Sequence, residues 1–319
     1  MQTQAKVLPL ISTGYAFLGD VHEEEDHLKE ITSIIEEVCE ISLSYGVSHF
    51  FQLGDLCQKN RLEALELYYL LGHISKCKKT FKLVSLIEGN HDKKDNEISI
   101  ISFLKWLGIK VYSDEYLLET PFGNLFLGHF FVDKSKDAFG THHKYTVENL
   151  KNKYSFKYGL LGHQHDYQQI DNIYHIGSAR YVSFGENGNI KKKMAIWNKD
   201  GLKFIDLKSP IPIFNVSTIK ELEKIPSRSK VRFIFKSFSS FKDDLKKVES
   251  FKGKFVDLKK KLDFSSISPY SDDLSTKLKK IEGSGKINNK LMVEEWLKQI
   301  PDTELRKILD EEFKKELLK

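Results

Sequence analysis

Five short segments of this chain place a side chain able to hold a metal ion directly after a glycine, and together they offer a complete donor set. Asp20-Val21-His22 follows Phe17-Leu18-Gly19, Asp55 follows Gln52-Leu53-Gly54, and Asn90-His91-Asp92 follows Ile87-Glu88-Gly89. His129 follows Phe126-Leu127-Gly128, and His163-Gln164-His165 follows Leu160-Leu161-Gly162. Imidazoles, an amide oxygen and carboxylates are the donors that two divalent cations require when one carboxylate is shared between them. Asp20 and His22 alternate along an extended chain, yet both can turn toward one ion where a strand ends. His163 and His165 have the same spacing and can serve two ions separately. Asp55, alone in its segment, suits the shared position. Asn90 offers a neutral oxygen and His129 a further imidazole. Singly, each motif occurs by chance, and an isolated histidine is more often an ordinary core or surface residue. The joint pattern is specific, because every donor type appears after an apolar run and a glycine.

Something must bring these segments together. The apolar runs YAFLG, VSHFFQLG, FKLVSLIEG, NLFLG and YGLLG alternate with amphipathic stretches between Tyr15 and Phe204. From His27 to Tyr45 the apolar residues Leu28, Ile31, Ile34, Ile35, Val38 and Ile41 keep close to helical spacing. Arg61 to Cys77 and Asn96 to Leu107 read as further helices. Strand, helix, strand in repetition is the rhythm of βαβ crossovers, and in an open α/β sheet ligands gather at the carboxyl ends of the strands. All five segments would then converge. After His165, runs near 168–176, 179–184, 192–198 and 202–207 read as consecutive antiparallel strands.

Lys208-Ser209-Pro210-Ile211-Pro212 reads as a seam, since neither proline extends a helix or joins a central ladder. Beyond it, VRFIFK (231–236) and KFVDL (254–258) flank a short helix at Ser240 to Glu249, a small α/β module. A polar stretch follows. Then Leu291, Val293, Trp296, Leu297 and Ile300, and Leu305, Ile308, Leu309, Phe313 and Leu317, outline two helices broken at Pro301-Asp302. The expected domains are therefore 1–207, 208–262 and 263–319.

Composition adds bounds. The 319 residues carry 50 basic and 45 acidic side chains, a net charge of +5, compatible with a polyanionic partner but not diagnostic of one. Lysine runs such as Lys191-Lys192-Lys193 and Lys259-Lys260-Lys261 are expected to be solvated surface. The N-terminal MQTQAKVLPLIS lacks the pattern of a signal peptide, no stretch is apolar for long enough to span a bilayer, and Cys39, Cys57 and Cys77 lack metal-type spacing. A cytoplasmic protein with free thiols and no membrane association is expected.

With these residues in place, the sequence resembles the calcineurin-like metallophosphoesterases, whose pattern DxH, GD, GNHD, GH and GHxH stands here without a missing member. The resemblance implies a four-layer α/β/β/α sandwich. It implies one cation held by Asp20, His22, Asp55 and His165 and a second held by Asp55, Asn90, His129 and His163. Within that superfamily the chain looks like the SbcD-type DNA nuclease subunits, including short phage versions. Tyr174-His175-Ile176-Gly177-Ser178 and then Phe184-Gly185-Glu186 are similar to that family's Gly-Ser and Phe-x-Glu segment. The small α/β module stands where those nucleases carry a DNA-capping domain, and the C-terminal helices where they bind an SbcC-type ATPase. A homodimer is also implied. One departure is Gln58, where many cellular members have a histidine three residues after the bridging aspartate. The pair His142-His143 matches no family ligand and is expected to lie in a loop, and Arg61 is expected at the surface before a helix.

The expected reaction is metal-dependent hydrolysis of a DNA phosphodiester, exo- or endonucleolytic, in repair, recombination or phage replication. His91 would protonate the departing sugar oxygen, with Asp92 orienting its ring. Oxygen and imidazole donors without thiolate favour Mn2+, with Fe2+ or Zn2+ as alternatives. Two alternatives stand beside it: a phosphatase or phosphodiesterase acting on small nucleotides, which the same cradle also serves, and a DNA-binding scaffold that has lost catalysis.

Overall fold

The computed structural model describes residues 14–93, 98–136, 143–236 and 238–262. Parallel strands β1 (Tyr15–Leu18), β2 (His49–Leu53), β3 (Leu83–Ile87) and β4 (Lys110–Tyr112) lie side by side in chain order. A second sheet contains β5 (Glu115–Leu118), β6 (Leu125–His129), β7 (Tyr158–Gly162), β8 (Gln168–Ile170) and β9 (Ile173–His175), in the order β5-β6-β7-β9-β8. Then β10 (Lys193–Asn198) returns to the first sheet antiparallel to β1, and β11 (Gly201–Asp206) pairs antiparallel with β10 at the sheet edge.

Side-chain alternation assigns each strand residue to one of three apolar layers. Ala16, Leu18 and Phe50 face α1 (Leu28–Ser44) and α2 (Ala64–Thr80), whose Ile31, Ile34, Val38, Leu70 and Ile74 complete that layer. Phe17, Phe51 and Leu53 point the other way and meet Leu125, Leu127 and Leu160 between the sheets. Phe126 and Leu161 turn outward onto Val147 and Leu150 of α3 (Val147–Lys153). The fold is thus helices, sheet, sheet, helix, the expected four-layer sandwich.

Register brings the ligand segments level. Leu18 pairs with Gln52, Leu53 with Ile87, and His129 with Gly162, so the donors all leave the carboxyl ends of their strands. Two expected elements differ. Residues 179–184 form no strand, because the Glu186 carboxylate takes the backbone N–H groups of Val182 and Ser183 that a ladder would use. The run toward Leu107 is a 3-10 helix, Ile100–Leu107, ended by Gly108 at φ 77°.

The described residues form two compact units, 14–214 with Arg228–Lys230, and Asn215–Ser227 with 231–262. The seam at 208–212 is tied to the first unit. The Lys208 and Ser209 N–H groups donate to Glu37 and that of Ile211 to Glu30, both on α1. The second unit is built on a three-stranded sheet of β12 (Ile213–Val216), β13 (Lys230–Phe235) and β14 (Asp257–Leu262), with α4 (Ile219–Lys224) and α5 (Phe238–Ser250). The expected C-terminal helices and His142 lie outside the described residues. No helix among the described residues is long and apolar enough to cross a membrane.

Candidate metal centre

The turn after β1 and the turn after β2 are sewn together before any side chain is considered. The Val21 and His22 N–H groups both donate to the Asp55 carbonyl, at 3.0 and 2.9 Å. To reach this arrangement His22, Asp55 and His163 adopt φ of 50°, 51° and 75°. Side-chain-bearing residues in that left-handed region are uncommon and concentrate at functional sites. Only one other such residue, Asp171, occurs among the described residues. Glycine permits the closeness: a Cβ on Gly54 would lie 2.2 Å from His129 Nδ1, and one on Gly89 2.1 Å from Asp55 Oδ1.

The donors fall into overlapping groups. Asp20, His22 and His165 each offer one ligand atom within 4.8 Å of the others, as do Asp55, His129 and His163, and also His22, Asp55 and His91. Asp55 Oδ2 lies 3.8 Å from His22 Nε2 and 3.2 Å from His129 Nε2, so this one oxygen faces both sides. Its other oxygen is occupied, accepting the His91 N–H at 2.8 Å. Asn90 Oδ1 lies 3.1 Å from His129 Nε2. All seven residues expected as ligands therefore meet in one place. Asp20, His22, Asp55 and His129 form its buried floor, while Asn90 is exposed and His163 and His165 are partly exposed.

The donor chemistry fits a pair of cations. His129 Nδ1 donates to the Leu53 carbonyl at 2.8 Å, which leaves Nε2 as a lone pair when the ring is neutral. That lone pair faces two further acceptors, Asp55 Oδ2 and Asn90 Oδ1, with no donor among them. On the other side His22 Nε2 and His165 Nε2 approach to 3.1 Å. A cation among these groups would satisfy the acceptors around Asp55 and, where both rings are neutral and protonated at Nδ1, would take the Nε2 lone pairs of His22 and His165.

Titration of the donor groups reflects the same demand. Burial and the neighbouring Asp55 charge push Asp20 up to about 6. Burial pushes the His22 and His163 rings down, to about 3 and about 4, so both are neutral and available as donors. Burial works against charge on His129 as well, yet Asp20 and Asp55 raise it to about 9. The two carboxylates that favour a proton on His129 would equally favour a cation beside it. Uptake of a divalent cation near pH 7 is then expected to release that proton, so affinity should rise as pH increases toward 9. The expected readout is a calorimetric heat that changes with the ionisation enthalpy of the buffer; equal heats in phosphate and Tris would contradict a protonated His129.

The structure corrects the role expected for Asp92. Its carboxylate does not touch the His91 ring. It is completely buried and accepts the N–H groups of Cys57, Gly89 and Leu56 at 2.9, 2.9 and 3.3 Å. It staples the turns after β2 and β3 to each other. The His91 ring is oriented instead by the Gln58 carbonyl, which accepts from Nδ1 at 2.9 Å. A backbone group thus performs this task at the position where relatives often carry histidine.

Three supporting residues were not singled out in sequence as site residues. Arg180, fully buried, donates through Nε to the Val21 carbonyl and through Nη2 to that of His22, at 3.1 and 2.9 Å, and so holds the first turn. Lys192, expected at the surface within a lysine run, is buried and donates to Glu186, Ser178 Oγ and the His165 carbonyl. Gln52 is buried at the end of β2 and its amide bonds both the N–H and the carbonyl of Gly54. Burial of polar groups between strand ends is the structural signal they share, and no linear motif announces it. Arg61 is exposed ahead of α2, as expected, and His143 is partly exposed.

Residues 15–235 match the family model described as calcineurin-like phosphoesterase. Among solved structures, a single mutant of Vps29 from Entamoeba histolytica is 12% identical, and the match covers 61% of this chain and 100% of that one at a TM-score of 0.33. Wild-type Vps29 complexed with Zn2+, from the same organism, is 11% identical, with 61% and 98% covered and a TM-score of 0.33. No curated protein matches the sequence.

Proposed function

The chain belongs to the calcineurin-like phosphoesterase family, a family of metal-dependent phosphoester hydrolases, and from that membership we propose that the phosphoester it cleaves is the backbone of DNA. The observation that supports this reading best is the openness of the centre. Asn90 is exposed and His91, His163 and His165 are partly exposed, so among the described residues the donors open onto a surface rather than a chamber. Small ligands are usually engulfed in concave pockets that bury most of their area. A polymer needs only to present one phosphodiester to an accessible face. The Gly177-Ser178 and Phe184-Gly185-Glu186 segment and the net charge of +5 are consistent with the same substrate.

The residues take the following roles in this proposal. Asp20, His22, Asp55 and His165 hold one divalent cation, and Asp55, Asn90, His129 and His163 hold the other, with Mn2+ the ion best suited to these donors. When bound, the two cations acidify water and neutralise charge on the phosphoryl oxygens. His91 carries the proton. With Nδ1 committed to the Gln58 carbonyl, Nε2 is the atom that delivers it to the departing sugar oxygen. Asp92 keeps the turns bearing Asp55 and Asn90 at a fixed separation. We further propose that the protein works as a homodimer with an SbcC-type ATPase, and that residues 208–262 serve as a DNA-capping module.

The test is a comparison of linear duplex DNA with a mononucleotide and with a small chromogenic phosphodiester, each in Mn2+. Degradation of DNA is expected with far higher kcat/KM than hydrolysis of either small substrate. Preference for the mononucleotide would replace this reading with that of a nucleotide phosphatase. Binding of DNA without cleavage of any substrate would indicate a scaffold.

A further inference from the structure

We infer that Glu186 positions His165 and thereby controls occupancy of the first metal position, the one formed by Asp20, His22, Asp55 and His165. The inference rests on the two-cation reading above. His165 is the most loosely enclosed imidazole of that position, with a side chain 31% exposed, so packing alone does not fix its ring. It is gripped from behind by a buried ion pair. Glu186 Oε1 lies 3.7 Å from His165 Nδ1, and the Lys192 ammonium donates to the His165 carbonyl at 2.9 Å.

Each member of the pair is itself immobilised. Glu186 Oε1 accepts the N–H groups of Val182 and Ser183 at 2.7 and 2.8 Å, which fixes the plane of the carboxylate. Lys192 Nζ has three acceptors for its three hydrogens: the Glu186 carboxylate, Ser178 Oγ and the His165 carbonyl. The side chains of Glu186 and Lys192 are only 7% and 4% exposed. A buried ion pair seldom stabilises a fold more than a well-packed apolar pair of the same volume. Here the pair stands behind a ligand side chain rather than within an apolar core. A carboxylate beside Nδ1 keeps the proton on that nitrogen and leaves Nε2 as the donor, facing His22 Nε2 at 3.1 Å and Asp20 Oδ2 at 3.7 Å. The second position is built differently: its His129 is fixed by the Leu53 carbonyl, with no part played by Glu186.

The consequence is an asymmetry that can be measured on the full chain without any assay of activity. Titration with Mn2+ in a calorimeter should find two ions bound to the parent protein. In Glu186→Gln the ion at the first position should weaken by about 10–100-fold, the range found when a carboxylate behind a ligand is lost, while the second stays at parent affinity. The paramagnetic resonance signal should accordingly change from that of a coupled manganese pair to that of a single ion. The single variant also strands Lys192, so a charge-balanced variant, Glu186→Gln with Lys192→Met, separates the two effects. If His165 depends on the carboxylate, the double variant loses the same ion. Recovery of both ions at parent affinity in the double variant overturns the inference, as does parent-like binding by Glu186→Gln. Failure of the parent itself to bind a pair of ions would overturn the two-cation reading and this inference with it.

Discussion

Replacing His91 by alanine is expected to lower turnover on a phosphodiester with a sugar leaving group by about 10²–10⁴-fold, the usual contribution of a general acid, while leaving manganese binding intact. The separation follows from geometry. The His91 backbone N–H holds Asp55 Oδ1, a contact that survives the substitution, whereas the ring is held only from outside, by Gln58. The ring also stands edge-on to His22, with centroids 4.9 Å apart, so its removal opens space beside a donor without taking the donor away. Leaving-group dependence gives the decisive comparison. An alkoxide needs a proton as it departs and a nitrophenolate hardly does. The deficit should therefore be large on DNA and shrink on a nitrophenyl phosphodiester. Equal losses on both substrates would remove the general-acid role, and unchanged turnover on DNA would do so outright.

Asp55→Ala is expected to be more severe, abolishing turnover on every substrate because it loosens both ions together. One oxygen of Asp55 faces His22 Nε2 on one side and His129 Nε2 on the other, whereas Asp20, which also lies near both rings, reaches His129 only at Nδ1, the nitrogen committed to the Leu53 carbonyl. Alanine also meets a backbone at φ 51°, which disfavours it. Asp55→Asn is the cleaner partner, since asparagine tolerates that region and retains an oxygen without the charge. Thermal melting supplies the readout. An ion present at 100 times its dissociation constant stabilises a native protein by about 2.7 kcal/mol. The parent should melt higher when Mn2+ is added, and both variants should show little or no rise. A parent-sized rise in Asp55→Asn would mean that the shared oxygen is not the bridge.

Much of this site was legible before any coordinates because its information is local. A strand, a glycine and a donor are neighbours in sequence, and the parallel register of β1, β2 and β3 converts equal positions along strands into proximity. The supports were hidden because their partners are remote. Arg180 reaches carbonyls of residues 21 and 22, across some 158 positions of chain. Lys192 differs from Lys191 only in facing inward, which a run of three lysines conceals. The misreading of 179–184 as a strand has the same origin: its apolar pattern is that of an extended segment, but Glu186 claims the N–H groups first. For Asp92 adjacency misled. Lying next to His91 in sequence, it turns away from the ring and spends both oxygens on backbone.

The left-handed backbone at His22, Asp55 and His163 bears on how the protein distinguishes one ion from another. Each such residue costs about 1–3 kcal/mol to hold, and contacts such as those of the Val21 and His22 N–H groups with the Asp55 carbonyl offset that cost. An incoming ion is therefore expected to meet donors on turns already tied together rather than on loops that wrap to suit it. Ions whose preferred radius and coordination number match that arrangement are then expected to bind best, while larger or more demanding ones would have to reshape the turns. Selectivity in such a centre is set by the tension of the scaffold as much as by the chemistry of the donors.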